Sequence, residues 1–418
     1  MRRPSVLLVG AVAVTHAAQA AVDTRNGDVG VEAQCVSMPT RNGTIVLLDS
    51  LSATARDAAI AGDAQSLYVV GTDIRSFNEP IPENPLTAID LRHLQTKIGV
   101  PNGRHDYVAP KAFMRNGALH LVWGDRAGVN SDAPAFRRAS EPVAELWASR
   151  YSTAAGWSEP TMLISGARLR WRPSTSDGWF ETRAAFGFAA PLTVGPGSGI
   201  AVIANEDGVW RRTTAPVPNG AASASVASDG STIYLAYLAA WDGAGTDVNS
   251  VFLIRSFDNG RSWTLPQLIS RSGSHAAYQL RAVIVESRLH LLWTQEVAGG
   301  ATALRITWSS DSGASWASLE DVAVSPQGYD LRVSADACGT IHVVFIDFAD
   351  GVQRAQLQHV MWRGGWSKAG RLFRSLSAHN PALATIGDGR TVLVFLGEPR
   401  DAGTGAQLRT YAATLEGK

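Results

Sequence analysis

Two groups able to move protons, the imidazole of His105 and the carboxylate of Asp125, flank the apolar segment Tyr107–Trp123. If that segment doubles back on itself, its ends meet and the two residues can serve as a general acid and a general base. Arg56, Arg183, Arg281 and Arg332 are guanidinium groups of the kind that grip a carboxylate bidentately, and Tyr329 adds a hydroxyl. The stretch Arg168–Arg183 mixes Arg168, Arg170, Arg172 and Arg183 with Trp171 and Trp179, whose rings could stack on sugar faces. Together these residues suit a ligand with many hydroxyls and an acid group, that is, an anionic carbohydrate.

The elements that would position them repeat along the chain. A short apolar strand, a polar turn and a second apolar strand recur at Asp57–Val70, Tyr107–Trp123, Ala189–Ala204, Ala224–Tyr237, Leu280–Trp293, Leu331–Phe345 and Ala382–Phe395. Each alternates about a Gly, Asn or Asp turn and reads as a β-hairpin. A third strand, a Trp-containing turn and a fourth strand follow several of them. Four-stranded units repeated radially predict an all-β fold, a β-propeller. Seven units over residues 52–415 average about 52 residues, and six would average about 61, so seven blades are expected and six stay possible. Blade 3 is the short one. The last unit ends with its third strand at Gln407–Leu415, so Gly43–Ser50 is expected to supply the fourth and close the ring.

In such a ring, residues just before each inner strand and just after its partner converge on one upper face. The first row reads Arg56 and Asp57; His105, Asp106 and Tyr107; Glu181 and Arg183; His275, Tyr278 and Arg281; Tyr329, Asp330 and Arg332; His379 and Asn380. The second reads Asp73, Asp125, Glu206, Asp242, Glu296, Asp347 and Glu398, one acid per blade. Two readings stand. Each acid caps loop amides and pairs with an arginine of the next blade, or the ring lines a pocket for sugar chemistry with His105 and Asp125 as the acid/base groups. His120, His290 and His342 share one position on the partner strand and read as packed strand residues. Long loops at Asp73–Ala88, Asp125–Ala144 and Arg168–Arg183 put the expected site over blades 1 to 3.

The turns Ser256–Trp263 and Ser309–Trp316 share the pattern Ser-x-Asp-x-Gly-x-x-Trp. This is the Asp box, and the chain resembles the sialidase-like (BNR/Asp-box repeat) propeller superfamily. The resemblance implies that Asp258, Gly260, Trp263, Asp311, Gly313 and Trp316 are structural, on outer turns away from the active site. The pattern His105-Asp-Tyr-Val-Ala-Pro110, with Asn116-Gly-Ala-Leu-His120-Leu-Val-Trp-Gly-Asp125, resembles the ulvan-lyase-like and rhamnosidase-like members, which act on uronic-acid glycans. In those a second His stands where this chain has Asp125. The resemblance implies a glycoside hydrolase or a polysaccharide lyase; a non-catalytic glycan- or protein-binding propeller is the alternative.

Composition bounds the rest. Lys plus Arg equals Asp plus Glu, 37 each, which argues against nucleic acid or an anionic membrane as partner. Hydrophobic residues make up 45%, enough for a sizeable core. Arg2 and Arg3, the apolar run Val6–Val14 and Ala18-Gln19-Ala20 read as a secretory signal over 1–20, leaving 21–418 as one propeller domain that is secreted or periplasmic. A monomer is expected. No nucleotide-binding or HExxH pattern occurs, so no cofactor and no metal are expected, although an acidic ring leaves room for a divalent cation. The propeller topology brings Cys35 and Cys338 to the lower rim near blade 6, where they form a disulfide or stand as two thiols.

Overall fold

The computed structural model describes residues 45–47, 58–62, 67–72, 86–90, 96–97, 101, 108–126, 143–165, 169, 176–192, 199–217, 221–240, 249–273, 275–325, 328–348, 355–387, 389–400 and 409–415. Their strands form seven sheets of four or five strands each, and no helix among them is long and apolar enough to cross a membrane. The first strands of blades 1, 2, 4, 5, 6 and 7 are Ala59–Gly62, Val108–Arg115, Ser223–Ser228, Ala277–Val285, Gly328–Ala335 and Leu376–Thr385. Those of blades 4 to 7, 1 and 2 contact one another in turn, so they line the axis of a β-propeller. Ile45–Leu47 pairs antiparallel with Arg409–Leu415 and completes the last blade, as the sequence predicts. Large side chains from the second strands fill the seams between blades; Trp123 and Trp293 are both fully buried.

Blade 3 departs from the expected register. The hairpin Ala189–Ala204 was expected to carry its innermost strand. Instead Ala185–Pro191 and Gly199–Glu206 are its second and third strands, and Phe180–Glu181 lies inside them. The chain reaches that position along Ser176–Asp177, which runs parallel to the first strand of blade 4. Part of the expected loop Arg168–Arg183 is therefore inner strand. Polar and aromatic residues hide it from a search for apolar alternation, because between the exposed Glu181 and Arg183 only Thr182 and, before them, Phe180 are buried.

The two Asp boxes close the third-to-fourth-strand turns of blades 4 and 5 on the lower face. Ser256 Oγ donates to Asp258 Oδ1 (2.8 Å) and accepts from the Gly260 amide (2.8 Å); Ser309, Asp311 and Gly313 repeat both bonds. Gly260 and Gly313 sit at φ 81° and 85°, where a side chain would be strained. Each box also docks on the preceding blade. Thr213 Oγ1 donates to the Gly260 carbonyl (2.7 Å), and Arg255 Nη1 to that of Ser312 (2.9 Å). The two turns thus close on themselves and dock on the preceding blade.

Burial raises the Asp258 carboxyl, but hydrogen bonds from Ser262, Ser256 and Arg261 outweigh it and hold the group at about 2. The Ser315 hydroxyl and amide, with Ser309, bring Asp311 to about 2 as well. Both lie below the ordinary 3.8. Their contribution to stability is therefore complete above about pH 4 and lost as pH falls through about 2. Thermal unfolding followed between about pH 5 and pH 2 should show a falling melting temperature, and Asp258→Asn with Asp311→Asn should flatten that fall.

Candidate functional site

The geometry of the upper face comes from a feature absent from the hairpin pattern. In blades 2, 5, 6 and 7 the ladder between first and second strands slips, between Val108 and Lys111, Tyr278 and Arg281, Tyr329 and Arg332, and His379 and Ala382. Each slip has one residue at positive φ: Ala109, Gln279, Asp330 and Asn380, between 46° and 55°. These are β-bulges, and they re-aim the residues on either side. Neighbouring bulges are latched together. The Leu331 amide donates to Gln279 Oε1 (2.8 Å), and Arg332 Nε donates to the Pro381 carbonyl (2.8 Å).

The bulges place Val108, Tyr278, Tyr329 and His379 at one equivalent position, just before the slip. Blades 5 to 7 therefore each offer an acid/base-capable residue type at the upper end of the inner strand. Tyr278 is 40% exposed, open to a ligand, and its hydroxyl donates to Glu296 Oε1 (3.0 Å) at the end of the partner strand. Burial lowers the His379 imidazole, with the nearby Glu398 carboxylate opposing. His379 Nε2 also lies 3.3 Å from Ser377 Oγ. Tyr278 and His379 stood in the first row of the sequence but were not separated from it; only the bulge register singles them out.

The described residues among those singled out from the sequence sit in different settings. Arg56, His105, Trp171 and Cys35 lie outside the described residues; Tyr329 is placed by its backbone alone. Asp125 is 8% exposed and faces Glu145 across the second-to-third-strand ladder. Arg281 is 1% exposed, with Nη1 on its own Leu280 carbonyl (2.8 Å), so it braces the bulge and is not offered to a ligand. Arg332 braces the next bulge and stands 3.7 Å from Asp330. Trp179 stacks on Phe113 (5.2 Å) and meets Phe188 edge-on (5.2 Å), so it is a packing residue between blades 2 and 3. Cys338 is disulfide-bonded, and among the described residues no cysteine is free.

The expected ring of acids resolves into separate positions. Counted from the bulge pairing, Asp125 and Asp347 are equivalent to each other and to Gln295. Glu296 and Glu398 fall one residue later and so point to the other side of the strand. Asp347 is held by Ser325 Oγ (2.7 Å) and Gln358 Nε2 (3.3 Å). Glu206 is not on the upper face at all. It ends the third strand of blade 3 on the lower face, paired with Arg211 and with Arg261 of the Asp box (2.7 Å each). Asp73 and Asp242 lie outside the described residues.

Arg183 is likewise on the lower face, its amide on the Gly230 carbonyl (3.3 Å) in the lower turn of blade 4. It lines a cavity of about 370 Å³ between blades 2 and 3. His120, on the cavity wall, is pushed down to about 4 by burial and by Arg150 and Arg115. Burial also lowers His290 to about 4. His290 and His342 have no exposed surface, in keeping with packed strand positions. Among the described residues no group of three or more His, Cys, Asp or Glu is placed to hold a metal ion.

No family model matches the chain, and no curated protein matches it. Among solved structures it is similar to an ulvan lyase bound to -[GlcA(1-4)Rha3S]-, at 13% identity and TM-score 0.54, covering 88% of this chain and 93% of that one. It is similar to the polysaccharide lyase Uly1 at 12% identity and TM-score 0.54, covering 87% and 91%. A protein of unknown function from Dyadobacter fermentans aligns at 12% identity and TM-score 0.51, covering 76% and 96%. At these identities the likeness speaks for the β-propeller fold alone.

Proposed function

We propose that this propeller is exported and acts on an acidic carbohydrate at its upper face, as a polysaccharide lyase or glycoside hydrolase. The observation that carries the reading is the exposed Tyr278–Glu296 pair. The Glu296 carboxylate can draw the phenolic proton and make Tyr278 a base or nucleophile. His379 at the equivalent position of blade 7 is the candidate for the complementary proton transfer. Tyr278 and His379 join His105 and Asp125, suggested by the sequence, as candidate acid/base groups of that face. Two similar folds are named as polysaccharide lyases, one with a glucuronate-containing ligand, which supports the substrate class. The reading of residues 1–20 as a secretory signal supplies the export.

A panel of uronate-containing and sulfated polysaccharides, assayed for reducing ends and for unsaturated uronate ends, tests the reading. Turnover of one of them should fall by about 100-fold or more in Tyr278→Phe with the melting temperature kept. Turnover untouched by that change would overturn the assignment. The second reading, a carbohydrate-binding propeller without chemistry, is favoured by Arg281 and Arg332, whose guanidinium groups brace bulges. Binding with no product from any polysaccharide would select it.

A further inference from the structure

We propose a second binding site, for a sugar carrying a carboxylate or sulfate, in the lower-face cavity between blades 2 and 3. This site lies on the face opposite to Tyr278 and does not rest on the reading given for the upper rim. The cavity, about 370 Å³, is of a size that holds a small sugar. Three guanidinium groups line it. Arg115 stands at the end of the first strand of blade 2, Arg150 on the third strand, and Arg183 in the lower turn of blade 3. Arg115 is held in place from two sides, by Glu181 (3.2 Å) and by the Phe186 ring beneath it (4.9 Å). Arg150 and Arg183 are exposed, and among the described residues neither side chain is paired with a carboxylate. Among the described residues Asp207 is the one acid in the lining, and even with Glu181 beside Arg115 the three arginines leave a net positive charge.

Charge alone would suit any anion; the rest of the lining narrows the class. Trp210 is part of the lining, partly exposed, its ring in T-shaped contact with Phe186 at 5.4 Å. A fixed indole face beside arginines matches a sugar ring with an acid substituent, because the C–H face stacks and the acid takes the guanidinium fork. Trp210 also lines an adjoining groove together with Met162 and Val209, which are 49% and 70% exposed, and Arg212. A longer chain of such sugars can continue along it. Arg183, expected from its place in the chain to face the upper rim, stands here on the lower face. Arg115, Arg150 and Trp210 carry no motif, since three different strands bring them together.

The experiment titrates the full chain with D-glucuronate, D-glucose and inorganic sulfate, read by chemical-shift changes or calorimetry. Glucuronate should bind, and glucose much more weakly. Arg150→Ala with Arg183→Ala should weaken glucuronate about tenfold or more at an unchanged melting temperature, and added salt should weaken it further. Trp210→Leu should weaken glucuronate and leave sulfate unchanged. Tyr278→Phe on the upper face should leave all of this binding intact. The proposal is overturned if the arginine pair has no effect, if glucose binds as well as glucuronate, if sulfate binds as tightly as glucuronate, or if Tyr278→Phe abolishes the binding.

Discussion

Trp293→Ala is expected to destabilise the protein by about 3–5 kcal/mol, the usual cost of emptying a large aromatic from a packed core. Trp293 is completely buried at the seam of blades 4 and 5, among Leu238, Leu253, Leu280 and Leu291. Its Nε1 donates to Gln295 Oε1 (3.2 Å), and that amide in turn reaches the carbonyls of Ser272 and His275. The substitution therefore leaves both a cavity and an amide with fewer partners. The surrounding strands are held in two ladders and cannot collapse far into the space, which places the cost at the upper end. Equilibrium denaturation of the variant checks it, with Trp293→Phe as the milder companion. A loss below about 1 kcal/mol would show that the seams between blades contribute little to stability.

Gly178→Ala should cost about 2–4 kcal/mol from two additive sources, the left-handed backbone and a steric overlap. Gly178 sits at φ 78°, and a Cβ there would stand 2.2 Å from the Val226 carbonyl oxygen of blade 4. The neighbour is backbone in a paired strand, so it cannot rotate away as a side chain would. The crossing segment from Ser176–Asp177 to Phe180–Glu181 would have to lift off blade 4. Glu181 would then move relative to Arg115, and the lower-face cavity would lose a fixed wall. The variant should therefore bind glucuronate more weakly than its stability alone explains. Gly187→Ala is a parallel case, with a Cβ 2.0 Å from the Ile203 carbonyl oxygen and 2.7 Å from the Phe180 ring. Unchanged unfolding in both would mean that the inner strand of blade 3 is not packed as described.

Much of the fold was legible because its signals are local. Turns such as Asn116-Gly117, with both residues at positive φ, announce a tight hairpin within four residues. An Asp box completes its hydrogen bonds within eight, and Gly43–Ser50 could be matched to the open edge of the last blade by counting strands. Blade 3 was misread for the same reason. Ala189–Ala204 looks like every other hairpin locally, and nothing local says whether a hairpin forms strands one and two or two and three. The strand inside it, Phe180–Glu181, is too short and too polar to show periodicity, and its partners lie in the next strand and the next blade.

The sequence by itself therefore determined the propeller, its closing strand and the boxes that tie the blades. Each depends on residues close together in the chain or on a repeat that can be counted. Only the tertiary structure decided which polar residues meet. The bulges before Arg281 and Arg332 turn those guanidinium groups into the wall and bring Tyr278 and His379 to equivalent positions. A one-residue offset sends Glu296 and Glu398 to the opposite side from Asp125 and Asp347, because side chains alternate along a strand. A hairpin displaced by one strand carries Arg183 and Glu206 to the lower face, where arginines distant in sequence enclose a cavity. Such outcomes depend on strand register and blade order, which hydrogen bonds between distant segments set and residue types alone do not reveal.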